Sequence, residues 1–135
     1  MIRGSCLCKG VKFEIHGTLG QPSHCHCSMC RKAHGAAFGT YASVRKDAFK
    51  VTAGAALIAR YRSSLWVERT FCSRCGSTLQ FVSNERPDVL DIALGVLDDD
   101  PGVRPAHHIF VGSKAPWYEI ADGLPQFPES APAKA

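Results

Sequence analysis

The chain has 135 residues, 45% of them hydrophobic and 21% charged, which predicts one globular domain and excludes a disordered chain. Its formal charge of +4 is too small by itself to argue for nucleic acid. No apolar run reaches the roughly 18 residues of a membrane span, and residues 1–6 hold no apolar signal region, so a cytoplasmic protein without membrane contact is expected.

Strand patterns dominate. Val11-Lys12-Phe13-Glu14-Ile15-His16 alternates apolar and polar, the period of a half-buried strand, and Gly17 ends it. Residues 28–33 can form one short turn of helix. Further strands are predicted at 37–44, 49–52, 57–62, 66–71, 78–82, 89–94 and 107–111. Turn-forming residues separate most of them, as at 83–88 and 98–101. Helical periodicity is sustained nowhere beyond two turns, and no internal repeat is present. Residues 125–135 carry three prolines and three alanines. The expectation is a mainly β domain over residues 1–127 and a flexible tail at 128–135.

Seven cysteines are unusual for a chain expected in a reducing compartment, and an odd number cannot all pair as disulfides. They form three groups: Cys6 with Cys8; Cys25, Cys27 and Cys30; and Cys72 with Cys75. Thiolate metal ligation explains this grouping better than buried free thiols do. Cys72-Ser73-Arg74-Cys75-Gly76 has the form of a zinc knuckle, with Gly76 suited to a positive φ. The count divides as four plus three. Cys6, Cys8, Cys72 and Cys75 make a closed, structural site. Cys25, Cys27 and Cys30 leave a fourth position open, as catalytic zinc does. In the alternative division the second site is closed as well, by His24, His26 or His34. Two Zn²⁺ on seven thiolates bring the formal charge to about +1, which removes the basic balance.

The segments Gly4-Ser5-Cys6-Leu7-Cys8, Cys25-His26-Cys27-Ser28-Met29-Cys30-Arg31-Lys32-Ala33-His34-Gly35 and Phe71-Cys72-Ser73-Arg74-Cys75-Gly76 together resemble the glutathione-dependent formaldehyde-activating enzymes, the family grouped with centromere protein V. Ser113-Lys114-Ala115-Pro116-Trp117-Tyr118 and Asp122-Gly123-Leu124-Pro125 extend the resemblance, which runs from Gly4 to Phe127. It implies a zinc-containing β-tent of two facing antiparallel sheets, similar to methionine sulfoxide reductase B, with the same four-plus-three division of cysteines. Lys9-Gly10 departs from the family pattern, which often has glycine directly after the cysteine.

The implied activity is that of a carbon–sulfur lyase joining glutathione, as co-substrate, to formaldehyde to give S-(hydroxymethyl)glutathione. The catalytic candidates are Cys25, Cys27 and Cys30 on the zinc, with His26 or His34 as general acid. Arg31 and Lys32 are the candidates for gripping the glutathione carboxylates. Trp117 and Tyr118 read as a pocket wall or as core. Glu68, Arg69, His107 and His108 have no role legible from spacing.

A non-catalytic zinc-binding interaction module is the competing function. For nucleic acid it would have Arg60-Tyr61-Arg62 as its one basic-aromatic cluster. A thiol redox enzyme would need a free cysteine, and seven ligands leave none. Oligomeric state is left open.

Overall fold

The computed structural model describes residues 1–132; residues 133–135 of the expected tail lie outside the described residues. In chain order the elements are β1 (Ile2–Ser5), β2 (Lys12–Ile15), β3 (Ser23–Cys25), α1 (Ser28–His34), β4 (Gly39–Arg45), β5 (Phe49–Ala53), β6 (Ile58–Arg62), β7 (Val67–Cys72), β8 (Thr78–Ser83), β9 (Val89–Ala93) and β10 (His107–Ile109). Short 3-10 turns fill several of the connections. The strands form a three-stranded sheet ordered β1-β2-β5 and a seven-stranded sheet ordered β10-β3-β4-β9-β8-β7-β6.

The architecture is mainly β with two sheets, as expected, but one edge departs from the antiparallel expectation. β10 pairs with β3 in parallel, His108 opposite His24. Parallel neighbours need a long connection, and β10 returns to the edge only after the whole β4–β9 excursion. The chain beyond it stays close. His108 N–H donates to the Pro125 carbonyl at 2.9 Å, Phe127 N–H donates to His108 at 2.9 Å, and Glu129 accepts from Phe110 N–H at 2.9 Å. The first residues of the expected tail thus hydrogen-bond alongside β10.

The alternation of β2 explains the core. Phe13 and Ile15 point from the small sheet against Ala42 and Val44 of β4 and Leu90 and Ile92 of β9, with Leu19 beside them. Lys12 is exposed and Glu14 only partly covered. Each fully buried aliphatic or aromatic side chain contributes about 1.5–3 kcal/mol. β1 carries no such alternation. It pairs antiparallel with β2, placing Gly4 opposite Phe13, and the Phe13 ring occupies the space a side chain at Gly4 would need. That ring cannot swing away, because it is 2% exposed and stacks on Phe49 at 4.9 Å between centroids.

Gly4→Ala is therefore expected to lower stability by about 1–3 kcal/mol, the usual cost of overpacking a filled site. Urea unfolding checks this, and a parent-like midpoint would refute the close approach as a constraint.

Candidate metal centres

β1 and β7 each deliver a cysteine pair to the same point. Past β1 the chain turns tightly: Lys9 N–H donates to the Cys6 carbonyl at 2.9 Å and Cys6 N–H to Val11 at 3.1 Å. At the end of β7, Gly76 N–H donates to the Cys72 carbonyl at 2.8 Å. Gly76 sits at φ +81, the left-handed conformation its place in the motif predicts. Lys9 adopts a similar φ of +62. The turn after the first pair is thus preserved with a lysine where glycine would fit without strain.

The sulfurs of Cys6, Cys8, Cys72 and Cys75 lie within 4.8 Å of one another. Cys6 and Cys8 are 3.5 Å apart and Cys8 and Cys72 3.9 Å. A tetrahedral ion with sulfur bonds of 2.3 Å needs sulfurs about 3.8 Å apart, so this set fits Zn²⁺. Donors surround it as thiolates require. Val11 N–H points at Cys6 Sγ at 3.3 Å and Arg74 Nε at Cys8 Sγ at 3.2 Å. The Ser77 hydroxyl and N–H hold the Cys75 thiol down at about 5.

Cys25, Cys27 and Cys30 form the second cluster, again within 4.8 Å. Cys25 closes β3, Cys27 caps α1, and Cys30 lies in its first turn, where Cys30 N–H donates to Cys27 Sγ at 3.2 Å. The neighbouring Cys25 and Cys30 thiols and this N–H pull Cys27 well below the ordinary thiol range. Three sulfurs this close are also compatible with Zn²⁺, with one tetrahedral position left over. All three line a pocket of about 600 Å³, whose walls include Tyr41, Ser63, Arg69 and Phe81.

Arg69, which no spacing rule marks, is the charged group of this pocket's inner wall. It is 8% exposed. Its two Nη atoms donate to Cys30 Sγ at 3.6 and 3.7 Å, and Nη1 also donates to the Tyr41 hydroxyl at 3.5 Å. Nε donates to Ser63 Oγ at 3.2 Å, and the guanidinium lies 5.1 Å from the Phe81 ring centre. One signal was available. In β7 the period of two puts Arg69 on the same face as Val67 and Phe71.

The candidate general acids separate. His34 bonds the Tyr41 hydroxyl through Nε2 at 2.7 Å and so reaches the pocket through Tyr41. Burial lowers its pKa. His26 is fully buried in a different seam. The Asp122 carboxylate accepts from His108 Nε2 at 2.8 Å, His108 Nδ1 accepts from His26 Nε2 at 2.7 Å, and His26 Nδ1 is left without a partner. Burial, then the nearby His108 and His24, push His26 down to about 4, which keeps it neutral at pH 7. His24 joins this seam, with one nitrogen on Thr40 Oγ1 at 2.7 Å, and not the sulfurs. Among the described residues no histidine joins the three sulfurs in one cluster.

Arg31 and Lys32 do not line the pocket. Its second cation is Arg86, paired with Asp91. Trp117 is 70% exposed, while Tyr118 packs on Phe38 at 5.6 Å.

Residues 1–113 match the family model described as glutathione-dependent formaldehyde-activating enzyme. A Halomonas elongata protein, whose provisional name is that of the same family, is 32% identical over 129 residues, 89% of this chain and 81% of its own length. A Schizosaccharomyces pombe protein bearing the name uncharacterized lyase is 32% identical over 78 residues, 58% of this chain and 55% of its own. A solved Rhodobacter sphaeroides structure superposes with a TM-score of 0.62 at 25% identity, over 76% of this chain and 91% of that one.

Two measurements test the division of ligands. Cys72→Ser is expected to abolish the cooperative thermal transition, because a closed metal site supplies folding free energy directly; a melt matching the parent would sink that assignment. Cys27→Ser is expected to keep the fold while losing about one zinc per chain, and unchanged metal content would overturn it. Separately, Lys9→Gly should raise stability by about 0.5–1 kcal/mol by removing a left-handed lysine, read as an upward shift of the unfolding midpoint.

Proposed function

The chain belongs to the glutathione-dependent formaldehyde-activating enzyme family, and from that membership we propose that it is a zinc-dependent carbon–sulfur lyase acting on the adduct of formaldehyde with glutathione or a similar small thiol. The observation that carries this reading is the opening of Cys25, Cys27 and Cys30 onto a pocket of about 600 Å³, within the size range of small-ligand sites. Cys6, Cys8, Cys72 and Cys75 would hold a structural ion. Cys25, Cys27 and Cys30 would hold the other, which supplies an open position where a thiol loses its proton at neutral pH.

The chain's own residues supply the rest. Sulfur attack on the aldehyde carbon forms the C–S bond and opens the C=O bond, and the oxygen must then take a proton. Tyr41 is the donor placed for this. Tyr41 lines the pocket, and burial raises its pKa, so its hydroxyl stays protonated. His34, hydrogen-bonded to that hydroxyl, restores the proton from the far side. Cleavage of the adduct runs the same path backwards.

Arg86 at the pocket is the cation available to a glutathione carboxylate, in competition with Asp91. Arg31 and Lys32, expected in that role, do not line this pocket. Among the described residues no helix is long and apolar enough to cross a membrane. A cytoplasmic setting, where thiols stay reduced, suits the chemistry.

Exchange NMR on an equilibrium mixture of glutathione and formaldehyde tests the reading, because the spontaneous reaction is subtracted directly. The zinc-loaded protein is expected to accelerate exchange and Cys27→Ser to abolish the gain. Tyr41→Phe should keep its metal and slow exchange by about 10²-fold, the low end for a general acid. No acceleration by protein carrying two zinc ions would refute the lyase assignment.

A further inference from the structure

Among the described residues Arg69 pairs with no carboxylate, although it is 8% exposed. Its neighbour Glu68 projects to the other face of β7 and pairs with Arg60 at 3.3 Å and Arg62 at 3.2 Å. A buried guanidinium without a counter-ion is costly. Its two Nη atoms instead donate to the sulfur of Cys30, at 3.6 and 3.7 Å, which would carry negative charge as a metal-bound thiolate.

We propose that Arg69 is the specificity-determining cation of the pocket: it offsets the charge of the Cys25, Cys27 and Cys30 cluster and so favours an anionic sulfur over a neutral donor at the fourth position. This rests on the lyase reading and names what selects its substrate. Three thiolates outweigh one Zn²⁺ by a single negative charge. A neutral fourth donor leaves that charge unchanged, whereas a thiolate doubles it. Only the anion therefore gains from a fixed positive group, and it gains most where water is thin.

The cation is fixed. Ser63 Oγ holds Nε, the Tyr41 oxygen takes one Nη, and the Phe81 ring packs against the guanidinium face. The closed site offers a contrast. There Arg74 also donates to a thiolate, Cys8, but the side chain is exposed and the coordination is complete, so no incoming ligand can benefit.

The test uses the full chain loaded with cobalt(II), whose sulfur charge-transfer band reports each ligand entering the open position. Glutathione and imidazole are titrated as the anionic and neutral probes. Arg69→Gln is expected to weaken glutathione binding by about tenfold and imidazole by less than about twofold. An equal loss for both probes, or no loss for glutathione, overturns the proposal.

Arg69→Lys guards against a misfolded variant. It keeps the charge without the fork, so its glutathione affinity should stay within about threefold of the parent, and a tenfold loss overturns the charge argument. If the unsubstituted cobalt protein binds no glutathione, the lyase reading falls together with the proposal. If it binds but Arg69→Gln changes nothing, only the proposal falls.

Discussion

Cys6 and Cys8 leave the end of β1, Cys72 and Cys75 come with the end of β7, and their four sulfurs meet where the small sheet joins the large one. As thiolates, four sulfurs this close would repel one another unless a cation sat among them. A metal ion bound there would hold the two sheets together at this point. The apolar packing around them is modest, chiefly Val11 and Leu79 with Leu57 and Ile58 at the margin. The same point fixes the end of β7. Arg69 stands three positions earlier on that strand and reaches the other cysteine cluster. One short strand, β7, thus runs to both sulfur clusters, carrying Cys72 to the first and Arg69 to the second.

Much of this was legible in the sequence. Alternation predicted β2, and strand-forming stretches set off by turn residues predicted β4 to β10. The grouping and count of the cysteines pointed to both clusters. β1 and β3 escaped notice for physical reasons. Ile2-Arg3-Gly4-Ser5 owes its pairing to a glycine that makes room for Phe13, and Ser23-His24-Cys25 has too few residues to show a period. The partners of the site were hidden by distance along the chain. Arg69 meets Cys30 across 39 residues, and His26 meets His108 across 82. Neither separation leaves a mark on local pattern.

The two kinds of ligand-capable residue also sort by face. Around Cys25 the chain alternates, so His24 and His26 turn from the pocket into a seam with His108, Phe38 and Tyr118. There the imidazoles act as a hydrogen-bonded bridge between β3, β10 and Asp122. The sulfurs keep the opposite side to themselves. Histidines interleaved with cysteines read as ligands in one dimension, and strand geometry divides them in three.

Residues 125–129 run beside β10 and take up its outward N–H and carbonyl groups. Sheets with bare margins recruit neighbouring chains into mixed aggregates. Here one margin of the seven-stranded sheet is sealed by the protein's own backbone. The other, β6, is guarded by Arg60 and Arg62, whose charges discourage a second strand from settling there. Removing the segment after Gly123 would uncover the sealed margin, and the solubility of the protein would then depend on a stretch that contributes no atom to either sulfur cluster.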